Sequence, residues 1–540
     1  MSASLNASND FEIKNALLSV YDKTGIVELA KTFAKHNITL IASGGTFATL
    51  EKAGLGVIPL EKVGHFPEML DGRVKTLQPE IFAGILARKD SPDHMKQISD
   101  KGIKTIDLVV SNFYDFEQTV SRADSKEEDL IEMIDIGGPS IMRASAKNFN
   151  SVCVVPSPKF YGEVAREIDS LEGRVSLGLR RKLSVAAFEI VASYDIAIYN
   201  TLSLRMKDSF PSSFYLSSRS FEEPKYGENP DQKAMIYAIN GSKGGLPEWK
   251  QLAGEARSYN NYLDVASSYE ILEGFEMPAA ATVKHGQISG FAFSTTLDDS
   301  YRLAHSCDPE ADFGNTTVFN RRVDRKTAEL VGKNDKTDAS VYTEIVLAPG
   351  YDQDALEILK SKQKKKIRII EASAPASYPF DVKVRQGLAL VQQSPDYSKK
   401  LDASKLTVET RTKPAGKDTA ILLGLWEVVR RVESNGVVIG NGEISENGKL
   451  EKLWTLGVGS FRKRNGATKI ALENAGTRAA GSYCASDGFF PFPDSIELLA
   501  RASIKAIIQP GGSQNDKKVV ETCDRYSIPM LFTHERAFKH

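Results

Sequence analysis

Cysteine is scarce and scattered. Cys153, Cys307, Cys484 and Cys523 are the four in 540 residues, and no two form a C-x-x-C pair. This argues against a disulfide framework and against a zinc site of paired thiolates; it points to buried thiols in the reducing cytoplasm. No run of about 18 apolar residues occurs, so no membrane helix is expected. The opening MSASLNASNDFEIKN also lacks the basic-then-apolar layout of a secretory leader. An excess of one charge is missing as well, since 69 basic against 70 acidic side chains leave a net −1. A general nucleic-acid coat needs many unpaired Lys and Arg against phosphates, so that class is set aside while local anion sites stay open. What the chain does have is length and a core: 41% of its residues are hydrophobic and 26% charged. At about 100–200 residues per domain, two to four domains are expected.

The first two hundred residues alternate short β-branched runs with amphipathic stretches. Ala16–Tyr21, Ile38–Ala42, Ile106–Val110 and Val152–Val155 read as buried strands; Gly25–His36, Thr46–Ala53 and Phe160–Leu171 read as helices between them. This is a parallel α/β layout, in which ligands gather beyond the C-terminal strand ends. The Ser- and Pro-rich segment 206–225 has no clear period and reads as a domain boundary. Beyond it lies a larger α/β region with strand-like runs at Ala281–Lys284, Glu344–Leu347, Lys366–Ile370, Gly436–Ile439, Ala506–Gln509 and Pro529–Phe532. That region is long enough for two similarly built subdomains. The basic run at 360–368 reads as a solvated surface edge.

Several strand-end loops could do chemistry. Strand Ile38–Ala42 runs into Ser43-Gly44-Gly45-Thr46 and then a helix, a junction whose free N–H groups and hydroxyls suit a phosphate. A plain turn with a Thr cap reads equally well from the tetrapeptide alone. Ser19, Lys23 and Thr24 follow the first strand, and two such loops after successive strands favour an anion site. Arg73 and Lys75, two residues apart in an extended segment, can face one side. Tyr114 lies in the loop after the third strand run, and Asp135-Ile-Gly137-Gly138 leads to Lys147 and Asn148. In the second region, Lys284 and His285 stand at the end of an apolar run, where an ammonium beside an imidazole keeps the ring available as a base. The H-x-E with P-C-x-x-C signature of zinc deaminases is absent.

Taken together, SVYDKTG, ASGGT, GRVKTLQP, IDIGG, SAKN, KYGENP, SYNN, the VKH strand end, ASDGFFPFPD, QPGGS and a terminal His resemble the bifunctional purine biosynthesis family. That family joins aminoimidazole-carboxamide ribonucleotide (AICAR) transformylase to inosine monophosphate (IMP) cyclohydrolase. The resemblance runs along essentially the whole chain in order. It implies a cyclohydrolase domain over 1–205 with a methylglyoxal-synthase-like parallel sheet, a linker over 206–225, and a transformylase over 226–540 made of two cytidine-deaminase-like α/β subdomains without metal. It also implies 10-formyltetrahydrofolate as cosubstrate, AICAR and its formylated product FAICAR as substrates, no nucleic-acid or membrane partner, and a homodimer with transformylase sites at its interface. Carried over by position, the cyclohydrolase phosphate cradle is Ser19, Lys23, Ser43, Gly44, Gly45, Thr46, Arg73 and Thr76, with Lys75 in both cradle and chemistry. Asp135 is implied in proton transfer, Lys147 and Tyr114 in holding the oxyanion, and Asn148 as a neighbouring contact. For formyl transfer the resemblance implies His285 as base, Lys284 beside it, and Asn435 and Asp494 toward formyl group and folate. Lys225, Tyr226, Asn261, Arg464, Arg536 and His540 are implied at the nucleotide.

The sequence departs from the family pattern mainly in the second region. Lys225 replaces an Arg, so bidentate phosphate contact is lost. Asp231 replaces a His, Gly286-Gln287-Ile288-Ser289-Gly290 replaces an Asn-Pro-Cys-Gly-like run, and the loop at 457–464 is altered. In the first region Gln78 replaces a His and Asp115 a Pro. These departures motivate a second reading, a cyclohydrolase whose C-terminal region is only a nucleotide-binding, dimerising scaffold. A non-enzymatic phosphate-binding module, suggested by SGGT, leaves the second region unexplained.

Overall fold

The computed structural model describes residues 10–540 apart from 65–66, 68, 71–72, 75, 115, 121, 123, 206–209, 243, 312, 334–341, 363–366 and 373–377. The chain separates into two compact units, residues up to Arg219 with Ile239–Gly241, and Ser220–Ala238 with Ser242–His540. Of the expected linker, 206–209 lie outside the described residues, and Ser218–Glu222 is a strand paired with Ile236–Ile239 rather than irregular chain. No described helix is long and apolar enough to cross a membrane.

In the first unit five parallel strands lie in the order Val57–Pro59, Thr39–Ala42, Asn15–Ser19, Leu108–Ser111, Cys153–Val155. The four expected strands are present within two residues of their expected ends; Val57–Pro59 is an addition. Ala16 and Leu18 pack with Phe33, Val164 and Leu183 on one face, while Leu17, Ile41 and Val109 pack with Ile81, Ile85 and Ile141 on the other. Burial on both faces is why these strands read as continuous apolar runs. Helix Ile26–Lys35 buries Ile26, Leu29, Ala30 and Phe33, the spacing of one helical face. Each such large side chain contributes roughly 1.5–3 kcal/mol by leaving water. The 29-residue helix Leu177–Arg205, to which the sequence reading assigns nothing, lays Leu179, Leu183, Ala187 and Val191 against the same core.

The second unit is built on a twelve-stranded sheet of two halves with one plan. In the first half, strand Ala279–Lys284 pairs antiparallel with Gln287–Phe293 and with Asn315–Phe319; Thr343–Ala348 and Arg368–Glu371 then add in parallel, and Lys250–Ala253 closes the edge antiparallel. In the second half, Gly436–Ile444 takes the place of Ala279–Lys284, followed by Leu450–Ser460, Tyr483–Ser486, Ala506–Gln509, Met530–Phe532 and the edge Thr407–Val408 with the same directions. The halves meet antiparallel, Ala292 opposite Trp454 and Phe293 opposite Leu453. Both need glycine at the same place. A Cβ on Gly290 would run into the Ala304 carbonyl of helix Leu297–His305, and one on Gly457 into the Ala471 carbonyl of helix Arg464–Ala475. Because the halves run in opposite directions, the turn after Ala279–Lys284 reaches the same sheet end as the start of Gly436–Ile444 and the C-terminal ends of Tyr483–Ser486 and Ala506–Gln509.

Candidate active sites

The strand order of the first unit reverses beside Asn15–Ser19, which leaves a crevice beyond the C-terminal strand ends. A cavity of about 470 Å³ lies there, and Ser19, Lys23, Ser43, Gly45, Thr46, Arg73, Thr76, Tyr114 and Asp135 all line it. Two loops are stitched together at its floor. Ser19 Oγ lies 3.0 Å from Ser43 Oγ, and Thr46 Oγ1 both accepts from Val20 N and donates to Val20 O, each at 3.1 Å. Ser43 stands at the N-cap of helix Gly44–Lys52 without its side chain capping that helix, so the positive helix end faces the cavity. Lys23 Nζ reaches the Tyr21 carbonyl at 3.3 Å, and Arg73 pairs with Glu132. Lys75 lies outside the described residues, as does Asp115.

On the opposite wall, Asp135 precedes helix Gly137–Lys147 and accepts from Gly138 N at 2.8 Å, while its own N–H donates to Tyr194 Oη at 2.8 Å. Burial pushes its carboxyl above the usual carboxylate range, and the N–H groups of Gly138 and Gly137 pull the other way. The two glycines are required by close approach: a Cβ on Gly137 would meet Thr76 Oγ1, and one on Gly138 would lie 2.7 Å from Asp135 Oδ2. Tyr114, exposed at the mouth, meets the ring of Tyr21 edge-on with centroids 5.2 Å apart. Asn112 holds the Tyr21 loop, its Oδ1 accepting from Tyr21 N at 2.7 Å and Asp22 N at 2.9 Å. Tyr21 and Asn112 were within reach of sequence reasoning, since both sit in strand-end loops; nothing in the sequence marks Tyr194.

Gly44, Lys147 and Asn148 are not among the residues that line this cavity. Lys147 is exposed at the far end of helix Gly137–Lys147, and ten rises of 1.5 Å put its backbone about 15 Å from Gly137. Asn148 is buried, with Nδ2 donating to the carbonyls of Ile85 at 2.7 Å and Ala87 at 3.1 Å. It bridges backbone rather than facing a ligand.

In the second unit, Lys284 pairs with Gln287, so His285-Gly286 is a two-residue hairpin turn with both residues at positive φ, 52° and 75°. Lys284 Nζ donates to the Phe313 carbonyl at 2.9 Å, which sets beside it a phenyl ring 66% exposed. Nothing in the sequence singles out Phe313, which the fold sets beside Lys284. Gln287 Nε2 donates to Glu433 Oε2 at 3.1 Å, bringing the turn toward Ser434 and Asn435. Asn435 Nδ2 donates to the carbonyls of Phe461 and Arg462, both at 3.2 Å, and its Oδ1 accepts from Arg464 Nη2 at 2.7 Å. The C-terminal tail closes over the same sheet end: Ser434 N donates to Lys539 O at 2.8 Å and Ala537 N to Asp487 O at 3.0 Å. Arg536 lies over the Phe538 ring, which His540 meets edge-on. Asp494 stands exposed at the start of helix Asp494–Arg501, just past strand Tyr483–Ser486.

Arg464 and Asn261 are occupied differently from what the sequence suggests. Arg464 is buried, pairs with the fully buried Asp487, and donates to Gly436 O and Ser486 Oγ, so it anchors Asn435 instead of meeting a nucleotide. Asn261 is the N3 member of a capping box with Ser258, and its Nδ2 donates to Glu344 Oε1 at 2.9 Å. Asp418 does the same in the second half, capping Ala415 N and accepting from Tyr483 and Lys505. Lys225 and Tyr226 lie in a loop closed by Gln232, with Asn260 Nδ2 reaching Glu228 O at 3.4 Å, so this loop sits against the start of helix Tyr259–Glu270. Among the described residues no group of three or more His, Cys, Asp or Glu could hold a metal.

Comparison with known proteins covers both units. Residues 145–474 match the AICARFT/IMPCHase bienzyme family, and residues 25–140 match the MGS-like domain. The chain is 40% identical over 535 residues to the bifunctional purine biosynthesis protein PurH of Acetivibrio thermocellus, covering 98% of this chain and 100% of that one. The protein of the same name from Desulfitobacterium hafniense is 38% identical over 537 residues, again covering 98% and 100%. That of Caldicellulosiruptor saccharolyticus is 39% identical over 532 residues with the same coverage.

Proposed function

We propose residue roles from one premise: the chain belongs to the AICARFT/IMPCHase bienzyme family. It catalyses the last two steps of IMP synthesis, transferring the formyl group of 10-formyltetrahydrofolate to AICAR and then closing FAICAR to IMP with loss of water. The reading of a cyclohydrolase whose C-terminal region is only a nucleotide-binding, dimerising scaffold is not favoured, because the bifunctional relatives match over their full length.

For ring closure, the ribose phosphate sits on the N-terminus of helix Gly44–Lys52 with Ser19, Ser43, Lys23 and Arg73 around it. The carboxamide nitrogen attacks the formyl carbon, so a proton must leave nitrogen while negative charge develops on the formyl oxygen. Asp135 takes the proton; its raised pKa, caused by burial, suits a group that both accepts and returns a proton. Tyr114 donates to the oxygen, and Lys75, next to the lining residue Thr76, supplies positive charge. Lys147 and Asn148 are left out of this assignment. The observation that carries it is the placing of Asp135 and Tyr114 in one cavity with the phosphate cradle.

For formyl transfer, the AICAR amine attacks the formyl carbon, the bond from that carbon to folate nitrogen breaks, and the amine proton passes through His285 toward the departing folate nitrogen. Lys284 stabilises the oxyanion, Asn435 and Asp494 face formyl group and folate, Phe313 offers a ring face, and Lys225, Tyr226, Arg536 and His540 hold the nucleotide. Arg464 and Asn261 support the site from within.

We assign a homodimer and a cytoplasmic location. The antiparallel ribbon Phe380–Arg385/Leu388–Gln393 exposes Val384, Leu388 and Leu390, an apolar edge suited to a second copy, and all four cysteines are buried free thiols. Following tetrahydrofolate release and IMP formation separately tests the functional reading. Both products are expected; ring closure without any tetrahydrofolate release would return the scaffold reading.

A further inference from the structure

We propose that Asp264 positions His285 and supports its positive charge during formyl transfer, an inference that rests on the reading of His285 as the base. The backbone of the turn that carries His285 is held from outside its own hairpin by a carboxylate. Asp264, on helix Tyr259–Glu270, accepts from Gly286 N at 3.0 Å through Oδ1. One turn further along the same helix, Ser267 packs so close that a Cβ on Gly286 would lie 3.2 Å from its hydroxyl oxygen. The helix therefore fixes the backbone of a turn whose His sits at φ 52°, a conformation side chains rarely adopt.

The carboxylate has an electrostatic role as well. Burial pushes the Asp264 carboxyl above its ordinary range, attraction to His285 and the Gly286 N–H pull it back, and Glu344 pushes it up again. By binding Gly286 N, Asp264 also sets a negative charge on the helix that holds the turn, beside the residue that takes up the amine proton. The other charges around the turn are placed differently. Lys284 directs its ammonium to the Phe313 carbonyl, Glu433 accepts from Gln287, Glu344 pairs with Arg368, and Glu270 pairs with Lys539 of the tail. Asp264 is the acid in this group that binds the backbone of the turn itself.

Asp264→Asn is the informative variant, because the amide oxygen can still accept from Gly286 N while the charge is gone. We expect kcat for formyl transfer to fall about tenfold or more, with KM for AICAR within about twofold. Ring closure by the other unit should be unchanged, which reports that the protein is folded. Wild-type kcat in Asp264→Asn, with His285→Ala inactive, overturns the role of Asp264 alone. Full formyl transfer by His285→Ala overturns the underlying assignment of the base.

Discussion

At the residue scale, Asp135 is the sharpest test of the first site. Asp135→Asn keeps an oxygen for Gly138 N and removes the proton acceptor, so ring closure should fall by about 10²–10⁴ while formyl transfer continues. The pKa direction separates chemistry from folding. A carboxyl raised in the native state binds its proton more tightly there than in the unfolded chain, so its contribution is full below the unfolded pKa and is lost as pH rises through the folded pKa. At neutral pH the Asn variant should therefore melt no lower than the wild type, and a fall in Tm would mean that burial is not what raises Asp135. Tyr21 packs edge-on against Tyr114, so on the proposed reading it positions that ring. Edge-on aromatic pairs contribute about 0.5–1.5 kcal/mol, so Tyr21→Ala should slow ring closure about two- to tenfold in kcat, and Tyr21→Phe should restore it. The sequence marks residue types better than their use. Asn148, Asn261 and Arg464 have the polarity of ligands, yet backbone carbonyls, a helix cap and a buried Asp take up their hydrogen bonds. Only the folded chain reveals such internal partners.

At the scale of elements, the hairpin turn sets stability against activity. His285 occupies a positive-φ position that Asn and Gly adopt more readily in two-residue turns. His285→Asn should raise unfolding free energy by roughly 0.5–1 kcal/mol while abolishing formyl transfer; denaturant titration beside the transferase assay measures both, and lower stability would contradict the turn reading. Strand positions were legible because β-branched runs buried on both faces leave few alternatives, as at Leu108–Ser111 and Ala506–Gln509. Helix Leu177–Arg205 was not, since its buried residues are interleaved with others of every kind over 29 residues. Sequence spacing likewise hides that Asp135 and Lys147 are separated by the length of a helix.

For the whole molecule, the near-zero net charge fits the proposed anion sites of a few placed cations and helix ends, and the proposed reading gives each of the two units one of the two chemistries. Sedimentation should report a dimer, and Leu388→Asp with Leu390→Asp should shift it toward monomer and reduce formyl transfer; unchanged sedimentation would remove the ribbon from the interface. The division of labour is tested most directly by measuring both steps in two variants, Asp135→Asn and His285→Ala. The first should convert AICAR to FAICAR at the wild-type rate and form almost no IMP. The second should close supplied FAICAR at the wild-type rate and release no tetrahydrofolate. Loss of both steps in either variant, or of neither, would contradict an enzyme with one site in each unit.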